Sequence, residues 1–231
     1  MNSKFRGLMQ LIILLGLMLS ITGMGVNEVQ AATCTWEGDN GSDWAVDINW
    51  SCGNVPVSGD DVIIPNLDVD PTINALTTGV DVNSISIETD AVLTVNATQN
   101  SLTIYTSSSF TNDGDIVING QNPGASGLSI NSPAFSNAGN VIINSGYLKL
   151  DRGGTHSGSF VGQPGTVLNL NNQLLTQTLT FSAESQVNVP IVMVNGEAGN
   201  MVNLNGELAR ALVSPEAGEL QMSSAATINL D

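Results

Sequence analysis

The chain has 231 residues and a net charge of −16, with five basic residues against 21 acidic ones. A field of that sign repels phosphate backbones, which excludes nucleic acid as a partner and disfavours anionic membrane surfaces. Aromatic residues make up 4% of the chain and it holds 24 glycines, a composition suited to thin, tightly turning β rungs rather than a thick globular core.

The first residues read as a secretory signal. Lys4 and Arg6 form a positive start, Leu8 to Ile21 is almost wholly apolar, and Val29-Gln30-Ala31 supplies a small-x-small cleavage site. Residues 1–31 are therefore expected to be removed, leaving a chain that starts near Ala32 and is secreted or held at a bacterial cell surface. No later apolar stretch is long enough to span a bilayer, so the mature chain is not expected to insert into a membrane.

Residues 32–59 stand apart, because Trp36, Trp44 and Trp50 and both cysteines fall here. Cys34 and Cys52 lie 18 positions apart without a CxxC spacing, so in an exported chain they are expected to pair. Closing such a loop is worth about 3 kcal/mol. The tryptophans read as a cap over the first coil of a repeat array, with a sugar-binding platform as the alternative.

From Asp60 onward short β-strands follow, at Val62–Ile64, Ile73–Leu76, Val82–Ile87, Ala91–Val95 and Leu102–Tyr105. Each is bounded by Asp, Asn, Gly or Pro, and the longer ones alternate apolar with polar residues. A 25-residue return then sets in. FTNDGDIVING starts at Phe110, FSNAGNVIINS at Phe135 and FVGQPGTVLNL at Phe160, with Asn119, Asn144 and Asn169 in register. The count predicts an internal stack of Phe110, Phe135 and Phe160 and a corner ladder of the three asparagines, with Gly114 and Gly139 at the opposite corner.

Each unit then has two main strands, Leu102–Ile104, Leu128–Ile130 or Leu148–Leu150 and Ile116–Ile118, Val141–Ile143 or Thr166–Leu168. Beyond Phe160 the interval shortens to Phe181, and Glu207–Val213 is expected to form a helical turn. A propeller blade would need about 40 residues. The expectation is an all-β, right-handed parallel β-helix over 60–231 with coils of 21–25 residues.

The compact candidate for chemistry is Lys149, Asp151, Arg152 and His156, which holds the chain's one histidine. Lys149 lies between two leucines and points outward, and Asp151-Arg152-Gly153-Gly154 reads as the following turn. The group is therefore expected to be a surface corner rather than a catalytic site. His156 alone cannot make a zinc site, and no nucleophile-elbow, metalloprotease or phosphate-loop motif occurs. Acidic pairs at Asp60/Asp61, Asp68/Asp70 and Asp113/Asp115 could offer oxygen ligands. Asp68 and Asp70 are the best candidates for calcium, the one cofactor weighed.

Trp36-Glu37-Gly38, Ser42-Asp43-Trp44, Asn49-Trp50, Val55-Pro56 and Gly59-Asp60-Asp61-Val62-Ile63-Ile64 occur in that order. This series resembles the opening module of large bacterial β-strand-repeat surface proteins, including autotransporter-like passengers, and residues 157–170 are similar to their coils. The resemblance implies an extracellular, non-catalytic β-helix that serves in adhesion or as a surface stalk. Rows of Asn, Ser and Thr would face surface glycans or proteins. An uncovered last coil would allow copies to associate end to end as a filament. A carbohydrate-active β-helix enzyme, a lyase or hydrolase, is the alternative of a different class.

Overall fold

The structure is a computed structural model and describes residues 31–74, 79–97, 101–121, 126–172, 178–196, 201–204, 219–222 and 227–230. All of them fall in one compact unit, Ala31–Asp231. The signal at 1–31, Ala31 apart, and the helical turn expected at Glu207–Val213 lie outside the described residues.

The chain alternates strands with tight corners. In order these are β1 (Thr33–Thr35), β2 (Asp61–Ile64), β3 (Thr72–Asn74), β4 (Val80–Ile87), β5 (Val92–Ala97), β6 (Leu102–Asn112) and β7 (Asp115–Gly120). Then come β8 (Gly127–Asn131), β9 (Phe135–Asn137), β10 (Asn140–Ser145), β11 (Tyr147–Leu150), β12 (Gly154–His156), β13 (Ser159–Gly162) and β14 (Val167–Asn172). The last are β15 (Thr178–Phe181), β16 (Gln186–Asn188), β17 (Ile191–Gly196), β18 (Met201–Leu204), β19 (Glu219–Met222) and β20 (Thr227–Leu230).

The alternation read from the sequence becomes alternating burial. In β4, Ile85 and Ile87 are buried while Ser84 before them and Ser86 between them are only partly covered. Every named strand pair is parallel and joins residues about one coil apart, as Val141 joins Ile116 and Ile143 joins Ile118. The protein is an all-β parallel β-helix whose apolar residues stack from coil to coil.

The described strands form three walls, one more than the sequence pattern suggested. The first is made by β8, β11, β14, β17 and β19, which stack on the opening halves of β6 and β4. The second runs β1, β2, β4, the closing half of β6, β9, β12, β15, β18 and β20. The third is β3, β5, β7, β10, β13 and β16. The strand expected at Thr166–Leu168 on the wall of Val141–Ile143 is a correction, because β14 pairs with β11 on the first wall.

Coil length varies more than the expected 21–25 residues. Partners on neighbouring coils are 19 apart at Asn140 and Ser159, 20 at Asp151 and Asn171, and 26 at Thr106 and Ser132. Parallel pairing fixes which side chains meet but not how long the corners between walls are.

This slippage corrects the phenylalanine stack. Phe110 pairs with Phe135 on the second wall, and the next residue in that column is Gly154. Phe160 sits on the third wall between Val141 and Val187. The short coil between them moves a constant 25-residue count onto a different wall. All three rings are buried, yet only Phe110 and Phe135 stack directly, with centroids 5.2 Å apart.

One end of the core is covered by the segment before β2. Trp36, Trp44 and Trp50 are buried and pack edge to face, Trp50 lying 5.0 Å from Trp36 and 4.6 Å from Trp44. Each pole finds an acceptor where one is needed: Trp36 Nε1 donates to the Val69 carbonyl at 2.7 Å and Trp50 Nε1 to the Trp44 carbonyl at 2.9 Å. Cys34 and Cys52 are joined by a disulfide. The cap is built as an incomplete coil, because β1 pairs with β2 and Asp43 bridges in parallel to Thr72 on β3.

Candidate functional site

The cap tryptophans offer no platform. Their exposures of 1%, 1% and 2% leave no ring face open to a sugar. A groove of about 490 Å³ beside the cap is bordered by Trp44, Pro56, Val57 and Val80, with Asp81 as its charged group.

The asparagine ladder exists, with a different membership. Asn144 Nδ2 donates to Asn119 Oδ1 at 3.0 Å, Asn119 Nδ2 to Asn96 Oδ1 at 2.9 Å, and Asn96 Nδ2 to Asn74 Oδ1 at 3.0 Å. Asn169 is not part of it. It lies on β14 between Lys149 and Met193, so the expected third rung is corrected for the same reason as Phe160. Asn74 and Asn96 extend the ladder the other way because β3 and β5 share the third wall with β7 and β10.

A second polar column runs inside the coil. Ile87, Asn112, Asn137, His156 and Phe181 occupy successive positions along the second wall, all of them buried. Asn112 Nδ2 donates to Asn137 Oδ1 at 2.7 Å and to the Asn140 carbonyl at 3.2 Å, and Asn137 Nδ2 reaches the Ser159 carbonyl at 3.4 Å. His156 is next in line and finds no hydrogen-bond partner for either ring nitrogen among the described residues. Its ring instead packs against Phe135, Phe181 and Phe160 at 5.2, 4.8 and 5.4 Å.

Desolvation by burial pushes the His156 imidazole down to about 3, so the ring is neutral at ordinary pH. The surface corner expected for this residue is therefore a correction. His156 alternates inward with Gly154, on a strand too short and too polar in sequence to announce a buried face. A recurring seven-residue phrase was the available signal: FTNDGDI at 110, FSNAGNV at 135 and GTHSGSF at 154 place Asn, Asn and His at one position.

Lys149 and Asp151 of the expected cluster face the other way. Lys149 Nζ lies 2.7 Å from Asp151 Oδ1. Asn171 Nδ2 donates to the same oxygen at 2.8 Å, while Ser129 Oγ donates to Asp151 Oδ2. Asp151 is buried in this network although it follows an outward-facing lysine. His156 meets phenylalanines and Asp151 meets Lys149, Ser129 and Asn171, so the two do not form one acid–base pair. Beside Lys149, on the outer face of the first wall, Tyr147, Val167, Asn169 and Met193 complete a shallow groove of about 290 Å³.

Among the acidic pairs, Asp60 is used structurally, accepting from the Ala32 and Val57 amides at 3.0 and 2.9 Å. Asp61 takes Asn83 Nδ2 at 2.8 Å and Ser84 Oγ at 2.5 Å. Asp115 accepts from Asn140 Nδ2 at 2.8 Å, and Asp70 accepts from the Val92 amide at 3.1 Å while Asp68 is exposed. Among the described residues, no three His, Cys, Asp or Glu side chains converge where they could hold a metal ion. Nor is any helix there long and apolar enough to cross a membrane.

No curated protein and no solved structure matches the chain. A family model described as Domain of unknown function (DUF8693) matches residues 35–213, which takes in the tryptophan cap and most of the coils. The chain belongs to that family.

Proposed function

We propose that this chain is an exported, non-catalytic β-helix module that serves at a bacterial surface in adhesion or as a stalk, in the manner of β-strand-repeat surface proteins. The observation that supports this reading is the separation of His156 from Asp151. The imidazole is spent inside the core among three phenylalanine rings, and the carboxylate is spent on fixing Lys149, Ser129 and Asn171 outside it. Acid–base chemistry on a polysaccharide needs such groups within reach of one bond. What the coils present outward is repetitive instead, as in the four-asparagine ladder of the third wall.

The test has two arms. Incubation of the purified chain with a panel of neutral and uronic-acid polysaccharides should release no reducing ends and no unsaturated products. Fractionation of expressing bacteria should find the chain, shortened by its first residues, outside the cytoplasm. Turnover of any polysaccharide that survives repurification would replace this reading with an enzymatic one, and full-length chain retained in the cytoplasm would remove the surface role.

A further inference from the structure

We propose that the outer face of the first wall carries a binding subsite for a neutral saccharide, with Tyr147 as its platform and Lys149 as its polar pole. The proposal rests on the adhesive reading above and gives it a place and a ligand class.

The platform follows from register. Tyr147 on β11 pairs with Gly127 on β8, and Leu128 pairs with Leu102 on β6, so Ser101 lies in the same column two strands from Tyr147. Two strand spacings are about 10 Å. The Tyr147 hydroxyl nevertheless shares a hydrogen bond with Ser101 Oγ. A side chain standing upright from the sheet cannot make that bond. The phenol must lie along the sheet over β8, crossing it at the buried Gly127. Tyr147 itself remains partly exposed, an aromatic ring pinned at its far end on an outer face.

The polar pole is equally fixed. Asp151 is buried and held from two neighbouring strands by Ser129 and Asn171, and it holds Lys149 at 2.7 Å. Lysine is ordinarily among the most mobile side chains, so anchoring it beside a groove moves the ordering cost from binding to folding. Val167 and Met193 supply apolar surface next to it, and Asn169 brings a carboxamide to the same groove.

An aromatic ring lying over β8, an aliphatic patch on β14 and β17 and fixed polar groups beside them match a short saccharide chain, whose rings have apolar C–H faces and a rim of hydroxyls. Other ligand classes fit less well. Asp151 neutralises Lys149, and the net charge of −16 repels polyanions. A peptide main chain has no free edge to join here, because β11 is paired on one side with β8 and on the other with β14.

The experiment is a glycan array of neutral hexose and N-acetylhexosamine oligomers, with sulfated and uronic-acid glycans alongside, probed with the full exported chain. Binding to a neutral glycan is expected. Tyr147→Ala should weaken it at least tenfold and Lys149→Met by several fold, whereas Tyr147→Phe should keep most of it. Val161→Ala, on the exposed third wall, should leave it unchanged. Should Tyr147→Ala fail to fold, as judged by circular dichroism, Lys149→Met carries the test. Three results would overturn the proposal: no neutral glycan bound, binding confined to anionic glycans, or binding indifferent to both Tyr147→Ala and Lys149→Met. None of them touches the polysaccharide-cleavage or fractionation results on which the adhesive reading stands.

Discussion

Replacing His156 with Leu should stabilise the protein, and by more in acid than at neutral pH. The side chain is fully buried, and neither ring nitrogen has a hydrogen-bond partner among the described residues. Each unsatisfied buried polar atom costs about 1–3 kcal/mol. Leucine removes both atoms at similar volume but forfeits the contacts with Phe135, Phe160 and Phe181, worth about 0.5–1.5 kcal/mol for each well-placed pair. Taking central values for both terms, the net gain at pH 7.5 should be about 1 kcal/mol.

Acid adds a second contribution. The imidazole titrates near 3 in the folded chain, against about 6.5 when unfolded. Between those values the unfolded chain binds a proton that the folded chain refuses, so the wild type loses stability as pH falls through the window and keeps it in full above it. At pH 4.5 the loss amounts to about 3 kcal/mol. The variant lacks this dependence, so its advantage should widen by about that much. Urea denaturation of both proteins at pH 7.5 and pH 4.5, followed by far-ultraviolet circular dichroism, reads the difference, and shared carboxylate effects cancel in the comparison. A variant less stable than wild type at both pH values, or an advantage that does not grow in acid, would refute the argument.

Phe135→Ala should cost about 3–5 kcal/mol, read as a lower urea midpoint, because the ring is buried between Phe110 and His156. Asn137→Leu alone should destabilise by about 1–3 kcal/mol by stripping a partner from Asn112, whereas Asn112→Leu with Asn137→Leu should recover most of the loss. Gly139→Ala should cost about 1–3 kcal/mol, since an added methyl would run into the Gly114 carbonyl on the neighbouring coil. Opening the disulfide with Cys34→Ser and Cys52→Ser should lower stability by about 3 kcal/mol, most visibly in the fluorescence of the cap tryptophans.

Much of this architecture can be read directly from residues. Alternation at Ile85, Ser86 and Ile87 is the period of a half-buried strand, and it appears as such. Clustered tryptophans beside two cysteines indicate a cap, and the rings are buried there. The phenylalanine count is where inference from spacing fails. A fixed interval signals a shared column only if coils keep one length, and the coil between Asn140 and Ser159 has lost about a quarter of the regular 25 residues. Phe160 and Asn169 therefore keep their count and lose their neighbours. His156 was hidden by a related effect, since a short strand of glycine, threonine and histidine carries no hydrophobic signal of its own. Only its alignment with the Asn112 and Asn137 phrases identifies it. The Tyr147 groove was illegible for another reason: Ser101, Gly127 and Tyr147 belong to three coils, and no local motif joins them.

The cap also has a bearing on how the coils come to exist. From β4 onward every strand pairs with one a coil earlier, so each coil rests on its predecessor. The disulfide closes within 18 residues, before any full coil is needed, and leaves β1 positioned to receive β2. The bond between Cys34 and Cys52 thereby ties β1 to the cap at the edge on which the coils are stacked. Reduction should therefore loosen the edge on which β2 lies, an effect that unfolding rates measured with and without reductant would read.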